Sequence, residues 1–206
     1  MNTQRTRRPW LPAAMAATLL LMQAGCMTTT PMQFYTLNAT AAAPAVADNA
    51  LVLAVGPIDL PEYLQRPQIV TRLDSNRLKV DEFHRWGGAL EEEISRVLSR
   101  DLGALLGTQR VYSYPSRVVP DTQLRVAVNI RSFDGDLGGE AVLDAAWSLF
   151  DDRDNRLLDT RQAVYRMPVE GADYAAYAAA LSDGLAQLSR DIAAVIAARA
   201  DRAARP

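Results

Sequence analysis

Cysteine and histidine each occur once in these 206 residues, as Cys26 and His84. One cysteine excludes a disulfide within the chain, so the fold has to be held by its apolar core. A zinc site needs several nitrogen or sulfur ligands, and one histidine among acids is a poor match. Any Ser-His-Asp or Cys-His arrangement would have to use His84, and nothing beside it resembles a nucleophile elbow. Its neighbours Glu82 and Arg85 read instead as a polar loop or strand end. No catalytic residue is named, and neither a cofactor nor a metal is expected.

Long apolar runs are missing as well. Trp10 to Met22 supplies 13 residues, against about 20 needed to cross the hydrocarbon layer, and Pro12 interrupts its first turn. Positive charge is not in excess: residues 1–25 hold three of the 22 basic residues and none of the 24 acidic ones, which leaves a balance of −5 after them. That excludes a nucleic-acid partner gripped through its phosphates, which requires a basic face.

What the start does contain is an export signal in three parts. Arg5, Arg7 and Arg8 form a basic beginning, the short apolar run follows, and Ala24-Gly25 supplies small residues before Cys26. Residues 1–25 are expected to be a signal peptide that is cleaved off and carries no fold. Ala24-Gly25-Cys26 resembles the lipobox of bacterial lipoproteins, with Gln23 where an aliphatic residue is usual. The resemblance implies that the Cys26 thiol is diacylated and the new amino terminus acylated; an ordinary secretory signal with an unrelated cysteine is the alternative. Each buried methylene contributes about 0.8 kcal/mol, so several chains on one residue make a durable tether. Met27 in place of aspartate implies, for a proteobacterial lipoprotein, passage to the outer membrane. The expected location is the periplasmic face of the bacterial outer membrane, with the chain lipid-anchored there.

About 180 residues remain, enough for one domain with a substantial core. We divide them into an acylated amino terminus, first strand and linker over 26–49, a domain over 33–199, and a frayed tail over 200–206. Gln33 to Leu37 and Leu51 to Val55 read as buried strands of one sheet, with an alanine-rich spacer or exposed loop, Ala39 to Asn49, between them. Gly56, Pro57 and Pro61 predict a shaped loop, since each proline fixes its own backbone and steers its predecessor away from helix. Gln68 to Leu73 and Arg77 to Asp81 predict a hairpin around Asp74-Ser75-Asn76.

Leu90, Ile94, Val97, Leu98, Leu102 and Leu105 recur at helical spacing. Glu91 to Glu93 suit the positive start of that helix, Glu92 and Arg96 are an i,i+4 pair, and Gly107 is placed to close it. A small strand is expected near Val111 to Tyr114. Leu124, Val126, Val128 and Ile130 alternate with polar or small residues, Asp134-Gly135 suggests a turn, and strands over Glu140 to Phe150 and Leu157 to Met167 complete an antiparallel meander. Tyr174, Tyr177, Leu181, Leu185, Leu188, Ile192 and Val195 form a second helical stripe opened by Asp173. The expected fold class is α/β, a single domain with a mixed β-sheet packed with two main amphipathic helices. Asp151, Asp152 and Asp154 beside Asn155 lack the glycine and distal glutamate of a calcium loop, and Gly135, Gly138 and Gly139 open no helix, so both groups read as hairpin turns.

The run VGPIDLPEYLQRPQIVTR, with RWGGAL and the leucine-rich helix after it, resembles the ABC-type transport auxiliary lipoprotein family. Pro61, Tyr63, Leu64, Arg66 and Pro67 match the family's most specific segment, Gln68-Ile69-Val70 its strand, and Trp86 with Leu90 its aromatic and following helix. The likeness spans about residues 33–196; Gly87-Gly88 departs from the more helix-forming residues usual there. It implies a non-catalytic accessory of an ABC/MCE-type intermembrane (phospho)lipid transport system, docking an MCE-domain periplasmic protein against the outer membrane, with a homo-oligomer allowed. The residues themselves offer Pro61, Tyr63, Leu64, Arg66 and Pro67 as a partner interface, because aromatics and arginine are enriched at interfaces. The competing reading folds Tyr63 and Leu64 inward and pairs Arg66 with an acid. A free-standing periplasmic lipid-binding carrier is the alternative function, since cavity-lining residues look like core residues in sequence.

Overall fold

The computed structural model describes residues 30–41, 50–115 and 121–203. The signal peptide, Cys26 and most of the linker lie outside the described residues. In chain order the elements are β1 (Gln33–Tyr35), β2 (Leu53–Asp59), a 3-10 turn (Glu62–Leu64), β3 (Gln68–Asp74), β4 (Arg77–Trp86), α1 (Leu90–Leu106), β5 (Val111–Ser113), β6 (Leu124–Gly135), β7 (Glu140–Asp151), β8 (Arg156–Pro168) and α2 (Tyr174–Ala203). The fold is the expected single α/β domain with two helices, and its strands form two sheets.

The larger sheet has the order β5-β2-β6-β7-β8, parallel at β2 and antiparallel through the meander. Alternation delivers one face of it to the core: Val126, Val128 and Ile130 on β6 and Ala141, Leu143, Ala145, Trp147 and Leu149 on β7 are all buried. Against this face lie Ile94, Val97, Leu98 and Leu102 of α1 and Tyr177, Leu181, Leu185, Leu188 and Ile192 of α2, the two stripes that the helical spacing predicts. Gly107 closes α1 in the left-handed region, φ 63°, and the Asp173 carboxylate caps α2 by accepting the Ala176 N–H at 2.8 Å. α2 is helical through Ala203, past the start of the expected loose tail.

The smaller sheet has the order β1-β4-β3. β1 and β2 therefore occupy different sheets, contrary to the expectation of one. β1 pairs in parallel with the end of β4, Gln33 to His84 through Tyr35 to Trp86, whereas β2 pairs with β5 and β6. Directly after β1 the described residues are held to the helices: the Asn38 N–H donates to Ser182 Oγ, Thr40 Oγ1 to Asp183 and the Ala41 N–H to Asp101, each at 3.0 to 3.1 Å.

Three local expectations are corrected. Gly56-Pro57 does not begin a loop, because β2 continues to Asp59 with a bulge between Val55 and Ile58. Gly56 takes φ 129°, and a Cβ there would stand 2.4 Å from the Tyr114 carbonyl oxygen. Asp134-Gly135 is the last pair of β6 and not the turn, which falls at Asp136 to Gly139. Arg96 pairs with Glu93 and not Glu92, because Glu93 and Arg96 together hold the Leu37 N–H and carbonyl.

Candidate docking surface

Pro61, at φ −62°, starts the single 3-10 turn that shapes the segment from Pro61 to Pro67. Within it the N–H of Leu64 donates to Pro61 O at 3.0 Å and that of Gln65 to Glu62 O at 3.1 Å, while Gln65 Nε2 reaches back to Leu60 O at 2.7 Å. The turn sends successive side chains to different destinations. Leu64 enters the core with 3% of its surface exposed. Tyr63 is half-buried and donates its hydroxyl to Asp134 at 2.5 Å. Arg66 and Pro67 face solvent, and the Pro67 carbonyl accepts the Trp86 N–H at 2.8 Å.

Asp134 is the centre of this arrangement. Its side chain is 2% exposed and accepts two hydrogen bonds from the Arg72 guanidinium, at 2.8 and 2.9 Å, besides those from Tyr63 and the Ser132 hydroxyl. Burial pushes the Asp134 carboxyl up, but the hydrogen bonds and charge of Arg72 and the Tyr63 hydroxyl outweigh it and hold the group below the usual carboxylate range. Burial, reinforced by the Asp134 hydrogen bond, pushes the Tyr63 phenol up to about 12. At neutral pH the acid is therefore an acceptor and the phenol a donor, and their bond ties the turn to β6 while Arg72 ties β3 to the same residue. Sequence reasoning missed both Arg72 and Asp134. The Asp-Gly pair gave a local turn signal, and no local pattern announces a partner on another strand.

The exposed part of the segment borders a groove of about 610 Å³. Its floor is apolar, from Ile58, Leu60, Leu64, Trp86 and Leu90, and its rim carries Arg66 on one side with Asp59 and Glu91. Among the described residues none of these three charges forms an ion pair within the chain, in contrast to Arg72, Arg125, Arg131 and Arg156. The groove offers apolar contact and directional charge. It contains no nucleophile, base and orienting group together.

The remaining sequence candidates have structural partners. His84 shares a 2.7 Å hydrogen bond through Nδ1 with the Tyr35 hydroxyl and stacks on Tyr174 with ring centroids 4.1 Å apart. In the β7–β8 turn, Asp152 accepts Arg125 Nε at 2.7 Å and the Thr122 hydroxyl, and Asp151 and Asp154 pair with Arg156. Arg125 itself, also unnoticed in the sequence, lies 4.4 Å from the Phe150 ring centroid and 5.1 Å from that of Tyr114. Among the described residues no cluster of three or more His, Cys, Asp or Glu side chains could hold a metal ion, and no helix is long and apolar enough to cross a membrane.

Comparison with known proteins gives three findings. No curated protein matches the chain. A solved structure of an uncharacterized protein superposes with a TM-score of 0.66 at 20% identity, covering 81% of this chain and 99% of its own. A Xanthomonas campestris protein of the DUF330 family superposes with a TM-score of 0.68 at 19% identity, covering 82% of this chain and 98% of its own. At such identities the likeness is one of fold. The family model described as ABC-type transport auxiliary lipoprotein component matches residues 35–193, from β1 through most of α2, and the chain belongs to that family.

Proposed function

We propose that this chain is the non-catalytic docking lipoprotein of an ABC/MCE-type intermembrane phospholipid transport system. It hangs from the periplasmic face of the outer membrane by acylated Cys26 and meets an MCE-domain protein through the surface around Pro61 to Pro67. The observation that carries this reading is the division of labour in that segment. Leu64 and Tyr63 are tied down in the core and on Asp134, while Arg66 and Pro67 are presented beside a groove whose rim charges form no ion pair among the described residues. A rigid turn offers its exposed groups with little ordering cost on binding, and an unpaired arginine supplies planar, paired hydrogen bonds to a partner's carboxylate.

The test is affinity purification of the full chain from detergent-solubilised envelopes, with mass spectrometry of co-purifying proteins and a Cys26→Ser control. Recovery of an MCE-domain protein with the acylated chain, and much less with Cys26→Ser, supports the reading. A preparation free of partner protein but carrying extractable phospholipid moves the assignment to a periplasmic lipid carrier, for which the apolar floor of the groove provides the obvious place.

A further inference from the structure

Met32, Phe34 and Phe83 are large apolar side chains left 44%, 64% and 43% exposed. They lie on or directly before the paired stretch of β1 and β4 in the smaller sheet. The parallel register sets Phe34 beside Arg85 and Gln33 beside His84, and Met32 and Phe83 are the residues that come just before this paired stretch on the two segments. Alternation turns Phe34 and Arg85 away from the side on which Tyr35 and Trp86 pack, and the exposed Met32 and Phe83 stand next to this paired stretch in the chain. Isolated exposed apolar residues need no explanation, but three on neighbouring strands form a patch.

The place of the patch in the chain names its occupant. Five residues, 27–31, separate Cys26 from Met32. Even fully extended, that stretch spans only ~20 Å, so an acyl anchor on Cys26 keeps β1 within that distance of the bilayer surface. Apolar and aromatic side chains lying against the boundary between headgroups and acyl chains add binding to that of the covalent chains. Arg85, on the same face, is a long cationic side chain able to bury its stem and keep its guanidinium among phosphates; within the chain its only ion pair among the described residues is with Glu82, at 3.7 Å.

We propose that the outward face of β1 and β4 is a membrane-contact surface. Met32, Phe34 and Phe83 enter the interfacial layer of the phospholipid leaflet that holds the Cys26 acyl chains, and Arg85 meets lipid phosphate. This rests on the acylation of Cys26 and adds orientation to it: the domain is laid against the bilayer by one face and does not swing freely on its tether.

The experiment uses the full-length, processed chain reconstituted into phosphatidylethanolamine and phosphatidylglycerol vesicles whose acyl chains carry bromine. Two single variants place an extra tryptophan, Phe34→Trp on the patch and Leu157→Trp at another exposed position (55%), on β8 in the larger sheet. Trp86 and Trp147 are buried and provide a constant background. Bromine quenches only fluorophores that reach the lipid. The expected result is that Phe34→Trp loses roughly half of its added emission, as a side chain in the interfacial layer should, and that Leu157→Trp loses none. Equal quenching of the two in protein that floats with the vesicles overturns the contact surface and leaves the anchor standing. A blue-shifted but unquenched Phe34→Trp also overturns it, assigning the patch to a second copy or another protein. Protein that fails to float, with an unmodified Cys26 by mass, overturns the anchor and the contact surface together.

Discussion

The two sheets are held in different ways. In the larger one, twelve- and thirteen-residue strands pair along nearly their whole length in β6, β7 and β8, with one register shift in each pairing, and one face is covered by α1 and α2. The smaller one consists of a three-residue strand, a seven-residue strand and a ten-residue strand with irregular register between β3 and β4. Besides buried Ile69, Val70, Thr71 and Trp86, it is secured by a few polar bonds. Arg72 meets Asp134, the Tyr177 hydroxyl donates to the Val70 carbonyl at 3.1 Å, and the Tyr174 hydroxyl donates to Asp81 at 3.0 Å. Non-directional burial tolerates change on the far face, whereas point contacts fix orientation at particular residues. Both proposed surfaces, the Pro61 to Pro67 turn and the outward face of β1 and β4, belong to the region held by point contacts. The proposed docking role needs contact groups that are aimed, and the helix-backed sheet supplies a rigid body to aim them.

The strongest challenge to this comparison is a cut in the shared core. Leu98 on α1 is fully buried. Leu98→Ala should lower unfolding free energy by about 4 kcal/mol, from lost transfer energy and the cavity left behind. Urea denaturation followed by far-UV dichroism and by tryptophan fluorescence should show one coincident, shifted transition. Separate transitions would mean that the two sheets do not form one cooperative unit.

Next in size is the link between the sheets. Asp134→Ala leaves the Arg72 guanidinium and the Tyr63 hydroxyl without their acceptor, and removal of one member of a buried pair costs about 3 kcal/mol. The pH dependence sharpens the point. The Asp134 pKa is lowered on folding, so its contribution is complete above the ordinary aspartate value of about 4 and disappears as pH falls through the lower folded value. Asp101, between the helices, has the opposite sign: burial raises its pKa despite the hydrogen bonds from Ala41 N–H and Ser189. Its contribution is complete below the ordinary value and is lost as pH rises through the raised one. Asp134→Asn should therefore flatten the acid limb of the stability curve, while Asp101→Asn should be neutral or stabilising at pH 7. Chemical denaturation from pH 3 to 7 checks both; parallel curves for the two variants would contradict the assigned directions.

The same division decides what was legible in the sequence. Periodicity reports a side chain's distance from a large apolar surface, so the helical stripes through Leu90 to Leu102 and Tyr177 to Ile192, the alternation of β6 and the caps at Gly107 and Asp173 could be read directly. Point contacts between distant strands leave no such trace. Asp134 looked like a turn residue because its neighbour is glycine, and nothing local to Arg72 points to its partner on β6. Gly56-Pro57 carried a strong loop signal that a bulge in β2 overrides, and the sheet to which Gln33 to Tyr35 belongs depends on a pairing with the far end of β4. Within the docking segment, apolar character was visible in Leu64, but its burial follows from the 3-10 turn, which directs it inward while leaving Arg66 outside.

The smallest expected effect on stability is the most telling about function. Arg66 is exposed and, among the described residues, makes no ion pair, so Arg66→Glu should change unfolding free energy by no more than about 0.5 kcal/mol. Leu64→Asp cannot serve the same purpose, because it drives a carboxylate into the core and abolishes binding by unfolding the domain. With Arg66→Glu, a charge reversal beside a rigid turn turns attraction for a partner's carboxylate into repulsion while the turn itself is kept. Urea denaturation unchanged from the native chain, with the MCE-domain protein absent from the affinity-purified fraction, would separate contact from folding. Loss of stability approaching that of Asp134→Ala would place Arg66 within the link between the sheets. Unchanged stability with the partner still recovered would move the contact away from Arg66 and leave Asp59 and Glu91, which form no ion pair among the described residues, as the next charges to reverse.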